Sequence, residues 1–143
     1  MYYSAIGILA VLILFIVNHD ILFGRRASFD KPAWKMYRKF LFVVLLYYIT
    51  DILWGLFESR KLAAPLFADT TLYYIAMAGG VLYWATFTIG YSEEKNPFGQ
   101  FLRIAGNILA IVITILTIVN IFTPILFTVN ADCVYTALPL RYV

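Results

Sequence analysis

Residues 40–57 read FLFVVLLYYITDILWGLF, an apolar run whose only charged side chain is that of Asp51. An α-helix rises about 1.5 Å per residue, so a helix of this length extends nearly across the roughly 30 Å of a bilayer's hydrocarbon core. Asp51 then lies about 16 Å along the helix from Phe40, near the middle of that core. Because a carboxyl group at this depth is costly unless it faces other helices, the stretch predicts a membrane-spanning helix that carries a polar site.

The composition of the whole chain is typical of a membrane protein. Of its 143 residues, 63% are hydrophobic and only 13% are charged, whereas a soluble domain typically has about 25% charged residues. The single Cys and the single His exclude a disulfide framework, a cysteine-based metal cluster and a haem or metal site built on several histidines. Since the basic residues are concentrated in one short loop beside apolar runs, we expect no nucleic-acid partner.

Apolar runs of spanning length occur four times, and they predict an all-α fold. This fold is a polytopic bundle of membrane helices that forms a single domain over residues 1–143. The first run differs from a signal peptide because no Lys or Arg precedes it and no small-residue cleavage pattern follows it. Residues 128–143 are expected on the outer side of the membrane, after the fourth helix. The four predicted helices span residues 2–23, 40–57, 71–91 and 101–127.

The loop at residues 24–39 predicts the orientation of the chain. It contains six basic residues and one acidic residue, Asp30, and this bias is typical of short cytoplasmic loops. We therefore expect the N-terminus to lie outside the cytoplasmic membrane. Basic residues beside a span also attract anionic headgroups, so membrane lipid is an expected partner. The six basic residues are Arg25, Arg26, Lys31, Lys35, Arg38 and Lys39.

Asp51 shares one side of its predicted helix with polar and aromatic residues, since positions three and four apart are neighbours on a helix. Tyrosine hydroxyls can hydrogen-bond a carboxylate, and a glycine leaves space beside it. The stripe therefore predicts a pocket that senses a small ligand, a lipid or a proton. A structural alternative stays open, in which Asp51 only hydrogen-bonds a neighbouring helix. The stripe consists of Tyr47, Tyr48, Asp51, Trp54, Gly55 and Glu58.

Two further polar groups are candidate sites. Asn120, with Thr117 and Thr123 on the same helix, can line an outward-facing pocket or serve as packing between helices. Residues 18–20, Asn-His-Asp, can couple the helices to a cytoplasmic output or simply mark the end of the first helix. We expect no enzymatic chemistry, because the sequence has no phosphate-cradling glycine loop and no nucleophile with a histidine partner. The candidate ligand-binding residues are thus Asp51, Tyr47, Tyr48, Trp54 and Asn120, with no catalytic, cofactor or metal residue.

Six short segments carry a family resemblance: 1–7 (MYYSAIG), 18–20 (NHD), 34–38 (WKMYR), 48–55 (YITDILWG), 120–124 (NIFTP) and 131–135 (ADCVY). Together they resemble the N-terminal membrane region of bacterial signalling proteins, mostly from Gram-positive organisms. In these proteins a multi-helix sensor precedes a cytoplasmic diguanylate cyclase or histidine kinase module. The resemblance implies a larger domain of about seven helices, with the output module in cis. An odd number of spans agrees with an outside N-terminus and a cytoplasmic output.

The main functional hypothesis is a non-enzymatic sensory and signal-transducing module of a bacterial cytoplasmic membrane. Any cyclase or kinase activity, in two-component or cyclic-di-GMP signalling, would lie outside this chain, and a homodimer is compatible with this role. One alternative is a small proton-coupled transporter subunit, in which Asp51 binds proton and substrate in turn. Another is a structural membrane subunit, in which Asp51 only holds helices together.

Overall fold

The computed structural model describes residues 2–23, 32–91 and 97–139. Within these residues the chain forms four α-helices: α1 (Tyr2–Leu22), α2 (Pro32–Ser59), α3 (Ala63–Tyr91) and α4 (Pro97–Phe122). All four are long and apolar enough to cross a membrane. The prediction of a helical fold with four helices long and apolar enough to span a membrane is therefore confirmed, whereas the larger seven-helix domain stays a prediction.

Three helix ends differ from the predicted ones by five residues or more. Helix α2 begins at Pro32 rather than at residue 40, because proline suits the first turn of a helix and the segment after it continues into the apolar run. Helix α3 begins at Ala63 rather than at residue 71. Helix α4 ends at Phe122 rather than at residue 127, because Pro124 lacks an N–H group and disfavours helical geometry in the residue before it.

A three-residue turn joins α2 to α3 and brings these two helices side by side. Lys61 adopts a positive φ of 53°, the left-handed conformation that often ends a helix. The N–H of Lys61 donates to the carbonyl of Glu58, and the N–H of Leu62 donates to that of Phe57, each at 3.0 Å. These bonds satisfy carbonyl groups at the end of α2 and reverse the chain direction. The α2–α3 interface is accordingly the most extensive between helices.

Small residues set the distance between neighbouring helices. A Cβ atom on Gly7 of α1 would lie 2.6 Å from Cγ1 of Ile52 in α2, and one on Gly106 of α4 would lie 3.3 Å from the Cβ of Ala85 in α3. The glycines therefore allow the backbones to approach closely, as small residues do in membrane bundles. Each helix packs on the next one along the chain.

A short β-hairpin follows α4, which the all-α prediction did not include. Its strands, β1 (Phe127–Val129) and β2 (Tyr135–Ala137), pair antiparallel with Phe127 opposite Ala137 and Val129 opposite Tyr135. The connecting turn places Cys133 at a φ of 60°. In the same turn, the side-chain oxygen of Asn130 accepts the N–H of Val134 at 2.8 Å. The chain beyond the fourth span is thus folded in residues 127–137.

Phe127 anchors the hairpin against α3. Its side chain is fully buried and stacks on the ring of Tyr74, with 5.5 Å between centroids and a 10° interplanar angle. Its ring also lies 5.2 Å from that of Phe67 and 5.8 Å from that of Tyr135. Since Phe67 and Tyr74 belong to the first half of α3, the hairpin covers the end of the bundle that contains the α2–α3 turn.

Candidate functional site

Asp51 lies where three helices meet. The side chain is half-buried on α2, and its Oδ2 atom is 3.7 Å from the position that a Cβ on Gly7 of α1 would take. Towards α3, the carboxyl group interacts electrostatically with Asp69 and with Tyr73. The carboxyl group of Asp51 therefore lies close to α1 and interacts with ionisable groups of α3.

The contact between α1 and α2 is tightest beside Asp51. Gly7 packs directly on Ile52, the residue after Asp51. The Oγ atom of Ser4 lies 3.5 Å from the carbonyl oxygen of Ile52, as a long hydrogen bond. The same Oγ lies 3.2 Å from the position of a Cβ on Gly55. Because Gly7 and Gly55 lack side chains, α1 comes close enough to close one side of the site.

Asp69 is the site residue that the sequence prediction missed. The predicted third helix begins at residue 71, after Asp69, whereas α3 begins at Ala63, so Asp69 is inside the helix. Only 6% of Asp69 is exposed. Its Oδ2 atom is buried and has no hydrogen-bond partner among the described residues. A second carboxyl group thus faces Asp51 across the α2–α3 interface, with one oxygen unsatisfied.

A helical pattern in the sequence could have identified Asp69. Residues at spacings of four, three and four lie on one face of a helix, and Asp69, Tyr73, Ala76 and Gly80 have this spacing. In the structure that face is directed at α2, since Tyr73 contacts Tyr47. The opposite face of α3 carries Phe67 and Tyr74 against the hairpin. Extending this helical spacing backwards from the apolar run therefore places Asp69 on the face of α3 that packs against α2.

Two tyrosines complete the polar cluster between α2 and α3. The hydroxyl oxygens of Tyr47 and Tyr73 are 3.2 Å apart and form a hydrogen bond, and their ring centroids are 4.9 Å apart. Tyr73 also interacts electrostatically with Asp51. The cluster therefore contains two carboxyl groups and two hydroxyl groups, all from the halves of α2 and α3 that are nearer the short turn.

The predicted stripe on α2 divides between neighbours on either side of Asp51. Tyr48 packs with the apolar cluster formed by Leu14, Leu22 and Leu41, largely against α1. The Trp54 ring lies 6.4 Å from that of Tyr135 in the hairpin. Glu58 is exposed near the end of the helix. Of the predicted pocket residues, the structure brings Tyr47 and Asp51 together with α3. Tyr48 contacts the ring of Tyr47 edge-on, with 5.6 Å between centroids, while it packs towards α1, and Trp54 packs on the hairpin.

Asn120 is engaged in the fold of the chain. Its side-chain oxygen accepts the backbone N–H groups of Ile125, Leu126 and Phe127 at 2.8, 2.7 and 3.2 Å. Its side-chain nitrogen donates to the carbonyl of Phe127 at 3.1 Å. The residue is 2% exposed. Both of its polar groups hold the turn from α4 into β1, and a role of Asn120 in a ligand pocket stays a prediction.

The polar residues near the end of α1 form a separate contact with α2. Asn18 has non-helical backbone angles, φ −110° and ψ 15°, which kink the helix. Its nitrogen donates to the carbonyl of Leu14, and its oxygen accepts the hydroxyl of Tyr37, both at 3.1 Å. His19 and Asp20 remain about half-exposed and lie 3.6 Å apart. This contact joins α1 and α2 at the end opposite to Asp51.

The Asp51–Asp69 cluster is suited to holding positive charge. Two carboxyl groups with hydroxyl groups beside them attract a cation or a proton and repel anions. The described residues contain no group of three or more His, Cys, Asp or Glu side chains that could hold a metal ion. Comparison of the chain with family models, with curated proteins and with solved structures finds no match. The assignment of function thus depends on the geometry of this cluster.

Proposed function

We propose that this chain is a sensory and signal-transducing module of a bacterial cytoplasmic membrane. Its signal is a small ligand, a lipid group or a proton that binds between helices beside Asp51. The observation that carries the proposal is the position of Asp51, which reaches α1 at Gly7 and α3 at Asp69. A change of charge or occupancy at this point changes the balance of forces in two helix interfaces at once.

The contacts on either side of Asp51 suggest how occupancy becomes a change of packing. Helices α2 and α3 are held by the bond between Tyr47 and Tyr73, while Asp51 and Asp69 oppose the contact when both are ionised. An occupant that relieves this repulsion favours the closer packing of α2 on α3. The ligand shifts the equilibrium only by its difference in affinity for the two packings.

Helices α1 and α2 provide the route to the other side of the membrane. Their contact at Gly7 and Ile52 is close, because a Cβ on Gly7 would lie 2.6 Å from Cγ1 of Ile52, and we propose that it couples the two helices. Movement of α2 is therefore passed to α1, and it reaches the kink at Asn18 and its bond to Tyr37. In the orientation predicted by the basic loop, that end is cytoplasmic, where an output module in cis would receive the signal.

The partners in this proposal are those that the sequence predicts. Membrane lipid surrounds the helices, and anionic headgroups attract the basic loop at residues 24–39. The larger domain of about seven helices, the cyclase or kinase output and a homodimer belong to the proposal through the family resemblance. The chain itself has a sensing role, with no enzymatic role assigned to it.

The proposal is tested by neutralising Asp51 and measuring the distance between helices. Spin labels are attached at Cys substitutions of Ile16 in α1 and Phe42 in α2, both exposed, in a Cys133→Ser background of the full chain in lipid nanodiscs. Asp51→Asn mimics charge neutralisation, so we expect the distance distribution to shift by about 1–2 Å, the scale of helix shifts in switching proteins.

Glu58→Gln is the matched control, because it removes an exposed carboxylate from the same helix. This variant is expected to keep the wild-type distance distribution. If Asp51→Asn also keeps it, the charge of Asp51 does not control packing, and the structural-subunit alternative replaces the sensory one.

The transporter alternative is supported by one specific observation, the second carboxyl group at Asp69. Two carboxylates in adjacent helices can bind a proton and a cationic substrate in exchange. Proteoliposome uptake of an organic cation driven by a proton gradient, abolished by Asp51→Asn and retained in Glu58→Gln, would favour transport over sensing.

A further inference from the structure

We propose that Asp51 and Asp69 form a binding site for a single monovalent positive charge, delivered as a proton or as an alkali metal ion. This inference deepens the proposed function and rests on it for its role in signalling, since it names the occupant that the module senses. The site lies between α2 and α3, and α1 closes it at Gly7. Two independent observations support it: the unsatisfied oxygen of Asp69 and the charge balance around the pair.

The first observation concerns the Oδ2 atom of Asp69. The atom has neither solvent contact nor a hydrogen-bond donor among the described residues, and the residue is 94% buried. An ionised carboxylate in such surroundings is strongly destabilising unless a positive charge or a donor reaches it. Native proteins satisfy nearly all buried polar groups, so an exception at a carboxylate points to an occupant that the described residues do not provide.

The second observation concerns the groups that face the pair from each helix. Among the described side chains, helix α2 contributes Asp51 and Tyr47, helix α3 contributes Asp69 and Tyr73, and helix α1 contributes Ser4 and Gly7. No lysine, arginine or histidine in the described ranges forms an ion pair with either carboxyl group. Two acids therefore face each other without a basic partner, and a positive occupant relieves both their repulsion and the burial of Asp69.

The occupant must be small. Gly7 is buried and brings the α1 backbone against Ile52, so α1 closes the side of the site next to Asp51. Asp69 lacks solvent contact on its other side. The hydroxyls of Tyr47 and Tyr73, which are 3.2 Å apart, lie about one helical turn from the two carboxyl groups along α2 and α3. Oxygen groups of this kind suit both a proton and a hard metal ion. The enclosure favours a proton or a bare ion over an organic cation.

The first experimental arm detects a proton. The full chain in nanodiscs is examined by infrared difference spectroscopy between acidic and alkaline buffers that contain only choline as cation. A protonated carboxyl group has a C=O stretching band that the carboxylate lacks. We expect such a band in the wild type in addition to those of the exposed acids, and its loss or a shift of its midpoint by at least tenfold in proton concentration in Asp69→Asn. Asp132→Asn, which alters an exposed acid of the hairpin, should remove only the band of an exposed acid.

The second arm detects a metal ion. Sodium and potassium are titrated at alkaline pH into the same nanodiscs, and binding is measured by calorimetry. Saturable binding with one ion per chain, weakened at least tenfold in Asp69→Asn and unchanged in Asp132→Asn, would identify the alkali metal ion as the occupant. Helical circular dichroism confirms folding, and Tyr73→Phe is the second variant if Asp69→Asn does not fold, with a shifted midpoint expected in the responsive arm.

Failure of the inference and failure of the proposed function are distinguishable. If the wild type gives neither the carboxyl band nor ion binding, or if the signals are unchanged in Asp69→Asn and Tyr73→Phe, the cation site is overturned. If occupancy is detected while the α1–α2 label distance stays constant across the titration, the site stands and the sensory role fails. A distance that responds to Asp51→Asn without any occupancy signal overturns the inference and leaves the sensory role.

Discussion

The hydroxyl oxygens of Tyr47 and Tyr73 lie 3.2 Å apart and hydrogen-bond across the α2–α3 interface. This bond joins the two helices within the polar cluster that contains Asp51 and Asp69. It is therefore both a structural contact and part of the electrostatic surroundings of the carboxyl groups, since Tyr73 interacts with Asp51. Its strength and its influence on the site can be measured separately.

Tyr73→Phe removes the hydroxyl bond but keeps the ring. We expect the free energy of unfolding to fall by about 0.6 kcal/mol, the average for hydrogen bonds between membrane helices, as measured by denaturant unfolding in mixed micelles. Tyr91→Phe is the control, because Tyr91 is exposed and its ring contacts with Trp34 and Phe87 are retained in phenylalanine. Equal losses in the two variants would contradict a role for the Tyr47–Tyr73 bond.

Gly7→Ala is expected to separate α1 from α2. The added Cβ would lie 2.6 Å from Cγ1 of Ile52, and overpacking of this kind typically costs about 1–3 kcal/mol. Gly90→Ala is the matched control, since its Cβ would meet only the Cβ of Ala33 at an ordinary 3.8 Å. The control should be neutral or stabilising by up to about 1 kcal/mol, because alanine favours helix. Stability that does not distinguish the two variants would be evidence against the close approach at Gly7.

Asn120→Ala is expected to release the hairpin from the end of α4. The substitution leaves three backbone N–H groups without their acceptor, and an unsatisfied buried donor costs about 1–3 kcal/mol. We expect lower stability and faster reaction of Cys133, which is 5% exposed, with a thiol reagent. Asn107→Ala, on an exposed position of the same helix, should leave the reaction rate unchanged. A rate that rises equally in both variants would contradict the anchoring role.

Tyr37→Phe is expected to weaken the transfer of movement between α2 and α1 at the end remote from Asp51. It removes the bond to the side-chain oxygen of Asn18 and keeps the ring contact with Phe87. In the spin-labelled chain, the shift caused by Asp51→Asn should be smaller in the double variant than in the single one. Tyr83→Phe serves as the control, and an undiminished shift in the Tyr37 variant would exclude this bond from the coupling.

The sequence was sufficient to predict the four spanning helices because apolar length is a direct consequence of bilayer thickness. Their ends were harder to predict, since a helix continues into polar sequence wherever its backbone can. Hydropathy excluded Asp69 from the third span because Pro65 and Asp69 make residues 63–70 less apolar. The neighbouring α2 provides the packing that extends α3 back to Ala63, and this packing is not visible in a local pattern.

The candidate site was predictable in one helix but not between helices. Helical spacing places Tyr47, Tyr48 and Trp54 near Asp51, but it does not say which neighbour each residue faces. In the fold, Tyr48 packs towards α1, Tyr47 hydrogen-bonds Tyr73 of α3, and Trp54 contacts the hairpin. Asn120 looked like a polar residue in a span, whereas its position one turn before Pro124 makes it the acceptor for the backbone beyond the helix.

The short turn at Lys61 joins α2 and α3 at one end, so any rotation of α3 about this turn moves its far end the most. Asp69 lies about 10 Å along α3 from Leu62, and Tyr91 lies about 43 Å from it, at 1.5 Å per residue. For rigid helices pivoting at this turn, a displacement of about 1 Å at Asp69 becomes about 4 Å at Tyr91. A small displacement of α3 beside the carboxyl pair would therefore be amplified at the other end of the helix.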